Sequence, residues 1–402
     1  MEPIARPKIA VLINSMRGGG AEKVAANLLA GLGTDHETHL LVFSDEVAYD
    51  LPPGQKVVLL GRQGRAGDAG NVLQIPFLAR RLKKYCEETG IDLIISFLHR
   101  PNFVACTAKK MGLRSAVLIS ERVYTALWYR NENLKGRIGN FLVSKLYPWA
   151  DAILPNSEGT KRGLQDLYKI ESDYHVVKNP LPVDEVNNRR FEAVTDVKFD
   201  RFSFVCVAGF REQKDHKLLV EAFARLEEFD AQLLLIGTGP TLDTIREEVR
   251  ALGLQERVRF LGHQANPFKY VQKSDCFVLT SGFEGFPNAL LEAMACGKAI
   301  ISTDCLTGPR ELLAPGTDGR QLGRGEVELA EYGVLVPVGD VQAIVDAMTT
   351  LLRDPRIRKR YERKVCEKAA EYDIKIVTEQ FREIIETHLP SRSESSAASG
   401  MR

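Results

Sequence analysis

The feature that most constrains this chain is an alternation of short β-branched runs with helix-length stretches, played through twice. In the first half the strand-like runs are Lys8–Asn14, Thr38–Phe43, Val57–Leu60, Asp92–Phe97, Ser115–Ser120 and Asp151–Pro155. Helix-length stretches such as Ala21–Leu32, Val72–Glu88, Asn102–Met111 and Gly159–Leu167 lie between them. Such alternation indicates βαβ units and a parallel sheet with helices on both faces. It breaks at the proline-bearing Asn179–Val183 and the polar, unperiodic stretch 184–200. It restarts with strands at Phe204–Ala208, Gln232–Gly237, Arg257–Leu261, Cys276–Thr280, Lys298–Ser302 and Val334–Val336. Helices at Lys214–Leu226, Thr241–Ala251, Ala289–Cys296, Val341–Arg353 and Arg356–Glu371 fill the gaps. The expected fold class is α/β, with two Rossmann-like parallel-sheet domains facing across a cleft. They occupy 1–183 and 201–371, with 184–200 as linker. A C-terminal helix within 372–390 is long enough to pack back on the first domain. The Ser- and Ala-rich tail 391–402 cannot bury a core and is expected to be disordered.

A chain of 402 residues is long enough for two domains of ordinary size. Its 54 basic and 53 acidic residues leave a net charge of +1, which argues against a nucleic-acid partner and makes any anion site local. No secretory h-region follows Met1, and no apolar run approaches the eighteen or so residues that span a bilayer. The seven cysteines are scattered without CxxC pairs and read as free thiols or small core residues of a reducing compartment. The expectation is a cytoplasmic protein with no structural zinc. Two segments, Val72–Tyr85 and Asn133–Trp149, mix basic and aromatic positions. They fit helices lying on anionic lipid, and equally ordinary amphipathic helices with a solvated basic face.

The densest signal is Thr280-Ser-Gly-Phe-Glu284-Gly-Phe-Pro-Asn288-Ala-Leu-Leu-Glu292-Ala-Met-Ala-Cys-Gly297. A buried-type strand ends near Thr280, a glycine-rich loop carries Glu284, Gly285 and Phe286, and Pro287 suits the first turn of a helix. The N–H groups of Asn288, Ala289 and Leu290 then form a seat for phosphate. Glu292 lies about 6 Å further along the helix, at a ribose's distance. Glu284 faces the other end of a diphosphate, where a sugar would be. Spacing alone leaves a capped helix with a surface glutamate equally open.

This block resembles the Glu-x7-Glu motif of the retaining glycosyltransferases of family 4, which share the GT-B fold. The resemblance runs from Lys8 to His388. It includes Gly18–Lys23 after the first strand, Pro155–Glu158 after the sixth, Lys178–Asp184 and Gly237–Pro240. It implies transfer of a sugar, an N-acetylhexosamine or hexose, from a nucleotide donor, with UDP preferred, to a polyprenyl-diphosphate-linked glycan. It implies retention at the anomeric carbon, no cofactor and no essential metal, on the inner face of a cell membrane. Val207–His216 is similar to the family's diphosphate-binding segment and contributes Lys214. The family's usual arginine is replaced here by Gly209, and Arg211 is the expected substitute because a leaving diphosphate calls for two cations.

Gly18, Gly19, Gly20 and Gly237 are candidate donor contacts, although neither glycine loop completes a dinucleotide fingerprint. Glu22 reads either as a first-turn acid answering the helix dipole or as an acceptor ligand. His99, Glu121 and Arg122 follow strand ends, where sites of such sheets lie; His99 is a candidate for catalysis and the other two for acceptor binding. Asp304–Glu311 resembles a block common in enzymes that build bacterial lipid-linked glycans, with Thr307 and Gly308 able to line the donor pocket. A nucleotide-sugar epimerase, a non-catalytic scaffold of the same fold and a nicotinamide-dependent oxidoreductase are the rivals.

Overall fold

The structure is a computed structural model that describes residues 6–17, 19–33, 35–47, 51–61, 72–129, 132–317 and 326–389. Gly18 and the tail 391–402 lie outside the described residues. The chain forms two compact units, Met1–Pro180 with Ile374–Arg402, and Leu181–Asp373.

The first unit is built on a six-stranded sheet: β1 (Lys8–Ile13), β2 (Glu37–Val42), β3 (Lys56–Leu59), β4 (Leu93–Phe97), β5 (Ala116–Glu121) and β6 (Ala152–Pro155). The order is β3-β2-β1-β4-β5-β6, and the described pairings are parallel. From Ile9 to Ile13 strand β1 is apolar without interruption because it is covered on both faces. Ile9, Val11 and Ile13 enter one core, with the helix Gly20–Leu32. Ala10 and Leu12 enter the other, with the helices Ile75–Thr89 and His99–Lys110. The helix Ile374–His388 belongs to this unit. Val377, Phe381, Ile384 and Ile385 complete the first of these cores. Arg382 donates to the Gly31 carbonyl at 2.7 Å and pairs with Asp35 at 3.2 Å.

The second unit repeats the architecture with β7 (Phe202–Val207), β8 (Ala231–Ile236), β9 (Val258–Gly262), β10 (Cys276–Leu279), β11 (Ala299–Thr303), β12 (Glu328–Leu329) and β13 (Val334–Val336). Their order is β12-β13-β11-β10-β7-β8-β9. Strand β12, which the sequence pattern does not reveal, is an antiparallel two-residue edge on β13.

The stretch 184–200 is not a free linker. It opens with a helix, Val183–Arg189, and Val186 and Val197 are buried in the core of the second unit. Two valines among polar neighbours are too sparse to show a period, yet each fills a core position. The chain enters this unit at Leu181, whose N–H donates at 2.8 Å to the carbonyl of Tyr372, beside the point where it leaves. No helix among the described residues is long and apolar enough to cross a membrane.

Candidate active site

Open parallel sheets place their sites at strand carboxyl ends where the strand order reverses. In the second unit that point lies between β7 and β10, and the densest sequence signals fall there. After β7 the backbone runs to a short turn, Glu212–Lys214. Asp215, with φ +45°, caps the helix His216–Ala224 by accepting from the Leu218 N–H at 3.1 Å. Thr280, at the end of β10, donates its hydroxyl to the carbonyls of Lys214 and Asp215 at 3.1 and 2.9 Å. The Gln213 side-chain amide donates to the Phe283 carbonyl at 2.7 Å, and the Gly282 N–H returns a bond to the Gln213 carbonyl at 2.8 Å.

These ties bring the two loops together, and Lys214 Nζ lies 2.5 Å from Glu284 Oε1. The Ser281 hydroxyl donates to the same oxygen at 2.6 Å. Glu284 is 6% exposed, whereas 21% of the Lys214 side chain reaches solvent. Among the described residues nothing bonds Glu284 Oε2. One carboxylate oxygen fixes the lysine, which leaves the other available as an acceptor.

The helix Asn288–Ala295 follows at once. Pro287 occupies its cap position, one residue earlier than the expected first-turn place, and no side chain caps the helix there. Asn288, Ala289 and Glu292 are half-buried. Gly285, Leu290 and Phe286 are buried, and the Phe286 ring packs 5.5 Å from that of Tyr372. The last two therefore have only backbone to offer a ligand. Arg211 is exposed, and among the described residues its guanidinium has no partner. A Cβ added at Gly209 would meet only the Thr238 carbonyl, at 3.6 Å, so a side chain would fit there. Gly237 differs: at φ +143° its added Cβ would meet the Ala208 carbonyl at 2.1 Å. It lets two loop backbones cross, which a direct ligand contact is not needed to explain.

Sequence reasoning missed the clamp behind this loop. Buried Arg310 donates through Nε to both oxygens of Asp304 at 3.0 Å and through Nη2 at 2.5 Å, and Nη2 also reaches Glu328 at 2.7 Å. Between them the Thr307 hydroxyl donates to the Glu284 carbonyl. Gly308, at φ +88°, leaves no room for a Cβ beside Pro287 and the Gly285 carbonyl. The available signal was an acid and an arginine flanking a Gly-Pro pair.

The first unit reverses its order between β1 and β4, and its candidates flank that point too. Gly19 caps the helix Gly20–Leu32, and the Glu22 carboxylate folds back over it, an added Gly19 Cβ lying 2.5 Å from Oε2. This is the place of a first-turn acid answering the helix dipole. His99, buried, lies 3.5 Å from Glu121 Oε2 and 4.7 Å from the Tyr129 ring centroid. Burial holds its pKa below the usual histidine value despite Glu121.

Glu121 is fully buried. Its Oε2 accepts from the Tyr147 hydroxyl at 2.6 Å and its Oε1 from the Arg122 N–H at 3.1 Å. Arg122 turns away to the Val177 carbonyl and Asn179 Oδ1, at 3.2 and 2.9 Å, and stacks on Phe97 and Phe381. Burial pulls its pKa down to about 9, with Glu121 opposing. In this structure Glu121 and Arg122, the two acceptor-side candidates, both hold the strand end and its neighbours together.

Residues 18–185 match the family described as Glycosyltransferase Family 4, and residues 188–368 match Glycosyl transferases group 1. The N-acetylgalactosamine-N,N'-diacetylbacillosaminyl-diphospho-undecaprenol 4-alpha-N-acetylgalactosaminyltransferase of Campylobacter jejuni is 32% identical over 380 residues, covering 94% of this chain and 99% of that protein. The chain belongs to the family 4 glycosyltransferases. A phosphatidyl-myo-inositol mannosyltransferase of Mycobacterium leprae is also 32% identical, over 87% of this glycosyltransferase and 88% of its own length. Among solved structures, Anabaena HepE with UDP-glucose superimposes with a TM-score of 0.74 at 18% identity, over 94% of this chain and 99% of that one. Sucrose-phosphate synthase of Thermosynechococcus elongatus gives 0.77 at 18% identity, over 95% and 99%. These likenesses show that the glycosyltransferase has the GT-B fold.

Proposed function

We propose that this glycosyltransferase moves an N-acetylhexosamine or hexose from a UDP-linked donor to a polyprenyl-diphosphate-linked glycan, with retention at the anomeric carbon. The observation that carries the reading is the Lys214–Glu284 pair, held at 2.5 Å beside the start of the helix Asn288–Ala295. A cation, a buried carboxylate and a helix N-terminus on one sheet end suit a nucleoside diphosphate and the sugar attached to it. Lys214, helped by Arg211 and the backbone around Asn288, takes the negative charge that grows on the leaving diphosphate. The acceptor hydroxyl attacks from the face the diphosphate leaves, and its proton passes to the departing phosphate oxygen. Glu284 orients the sugar through its available oxygen, and Glu292 holds the ribose.

The lipid-linked acceptor is supported by the Campylobacter relative, whose name specifies an undecaprenol-diphosphate glycan, and by the Mycobacterium relative, which is named for a phosphatidylinositol substrate. Contact with a membrane surface is supported by the helix Leu134–Leu146. Leu134 and Phe141 on it are 72% and 61% exposed, alongside exposed Lys135, Arg137 and Lys145. Apolar and basic side chains together on an exposed face fit an anionic lipid surface.

The test is a panel of UDP- and GDP-sugars against polyprenyl-diphosphate glycans, scored for glycolipid, free nucleotide and anomeric configuration. A UDP-dependent α-linked glycolipid from an α-linked donor is expected. Inversion, or nucleotide release without glycolipid across the panel, overturns the reading.

A further inference from the structure

A second cluster of ligating side chains lies in the first unit, apart from the residues discussed above. Asp173, His175 and His388 place one ligand atom each within 4.8 Å of the others. Asp173 and His175 belong to an extended segment bridged to β6. The Ile153 N–H donates to the Asp173 carbonyl at 2.8 Å and the His175 N–H to the Ile153 carbonyl at 3.1 Å. Two positions apart on extended backbone, their side chains leave on the same side. His388 comes from the last turn of the helix Ile374–His388. Both imidazoles aim Nε2 at a single oxygen, Asp173 Oδ2, at 2.9 Å from His175 and 3.3 Å from His388.

The tautomer of His388 makes this arrangement informative. Its Nδ1 lies 2.8 Å from the Ile384 carbonyl, which has no proton to give, so Nδ1 carries the hydrogen. In the neutral ring Nε2 then presents a lone pair to the lone pairs of Asp173. That contact is repulsive unless the ring takes a second proton or a cation sits between them. A backbone carbonyl holding Nδ1–H is also the usual way a metal-binding histidine is oriented. The negative end of the helix dipole adds to the attraction for positive charge.

We infer that Asp173, His175 and His388 form a site for a divalent cation of the zinc type. Two imidazoles and one carboxylate suit a borderline transition metal, with solvent completing the coordination. Metal–ligand distances of about 2.0–2.2 Å require only small side-chain movements from the spacing found here. The bound ion joins the last turn of the C-terminal helix to the segment after β6, and so pins the end of a helix whose Phe381 and Ile385 belong to the core of this unit. This inference is independent of the donor and acceptor proposed above.

The experiment uses the full-length, tag-free protein, stripped with EDTA and dialysed, then titrated calorimetrically with zinc chloride. One equivalent is expected to bind with a dissociation constant below about 10 µM. It should raise the melting temperature by a few degrees, because a ligand that binds only the folded state stabilises it. His388→Gln and His175→Gln should each weaken this binding at least about tenfold while leaving the EDTA-treated melting temperature near that of wild type. Cobalt(II) should give the visible bands of a low-coordinate nitrogen and oxygen site in the wild type and lose them in both variants. Should His388→Gln fail to fold, His175→Gln, on the half-exposed segment, carries the comparison. No stoichiometric uptake by the wild type, or unchanged uptake by a folded variant, overturns the inference.

Discussion

The two switch points of this enzyme share a topology and differ in what they do with charge. In the second unit Lys214 meets Glu284 where the lysine keeps contact with solvent and one carboxylate oxygen is left available. In the first unit His99 follows β4 and Glu121 and Arg122 stand at the end of the neighbouring β5, but all three are desolvated, and Glu121 is satisfied by Tyr147 and backbone N–H groups. A charged residue after a parallel strand is therefore ambiguous until burial is known. Left half-open, it can meet a ligand; closed over, it fixes the loops that a ligand meets.

The sharpest test of this contrast is Lys214→Ala. It should lower turnover at least about 10²-fold, or about 2.7 kcal/mol of transition-state stabilisation, in a protein that still folds but melts somewhat lower, because Glu284 then keeps only the Ser281 hydroxyl on Oε1. Near-wild-type turnover in the folded variant would make the second switch point as structural as the first.

Glu121→Ala should show the opposite pattern. It strands the Tyr147 hydroxyl and the Arg122 N–H, so stability should fall by about 2–3 kcal/mol while acceptor KM barely moves. Denaturant unfolding and steady-state kinetics measure both quantities. A raised acceptor KM at unchanged stability would instead place Glu121 in the acceptor site.

Within the second unit, Glu292→Gln should weaken nucleoside diphosphate binding by about 1–3 kcal/mol, since a ribose contact is made equally before and during transfer. Glu284→Gln should leave nucleotide affinity alone and depress turnover at saturating donor. Calorimetric titration separates them, and equal, normal binding by both variants would misplace the donor along the helix. Arg211→Ala should cost less than Lys214→Ala, about tenfold, because exposed Arg211 is not held in place as Lys214 is. Gly209→Arg, placed where a side chain has room, should restore part of that loss, and a silent Arg211→Ala would leave the site with one cation.

A last effect is on acid stability, and both units contribute. Burial keeps His99 below its ordinary pKa, and burial with Lys214 nearby pulls His216 down to about 4. A histidine whose folded pKa is lowered protonates first in the unfolded chain. Its contribution is thus complete above pH 6.5 and is lost as pH falls from there, for His216 by up to about 1.4 kcal/mol per unit until about pH 4. Unfolding curves at pH 7 and 5 should show this loss, reduced in His216→Phe. Equal stability at both pH values would mean that neither ring is held neutral.

Much of this architecture was written locally. Continuous apolar strands such as β1 and β10 announce burial on both faces, and the Thr280–Gly297 block announces a strand, a loop and a helix in one reading. What escaped depended on partners distant in the chain. Glu121 and Arg122 read as strand-end acceptor candidates, with nothing to show their burial, because Tyr147 and Phe381, which pack against them, are remote in sequence. Val186 and Val197 gave no period and were hidden in an apparent linker. The Arg310 clamp needed Glu328 from a two-residue strand too short to leave a pattern. His175 and His388 meet only because the final helix returns to the first unit.

That return sets an order of assembly. As the chain leaves the ribosome, the first unit is begun early, yet its core lacks Phe381, Ile384 and Ile385 until the whole second unit has been made. The second unit, continuous from Leu181 to Asp373, has all its strands in hand sooner. A nascent chain stopped short of the helix Ile374–His388 should therefore carry a finished second unit and an open apolar groove in the first. Ribosome-stalled fragments in which the helix Ile374–His388 is either missing or fully outside the exit tunnel should differ in protease resistance on the N-terminal side alone.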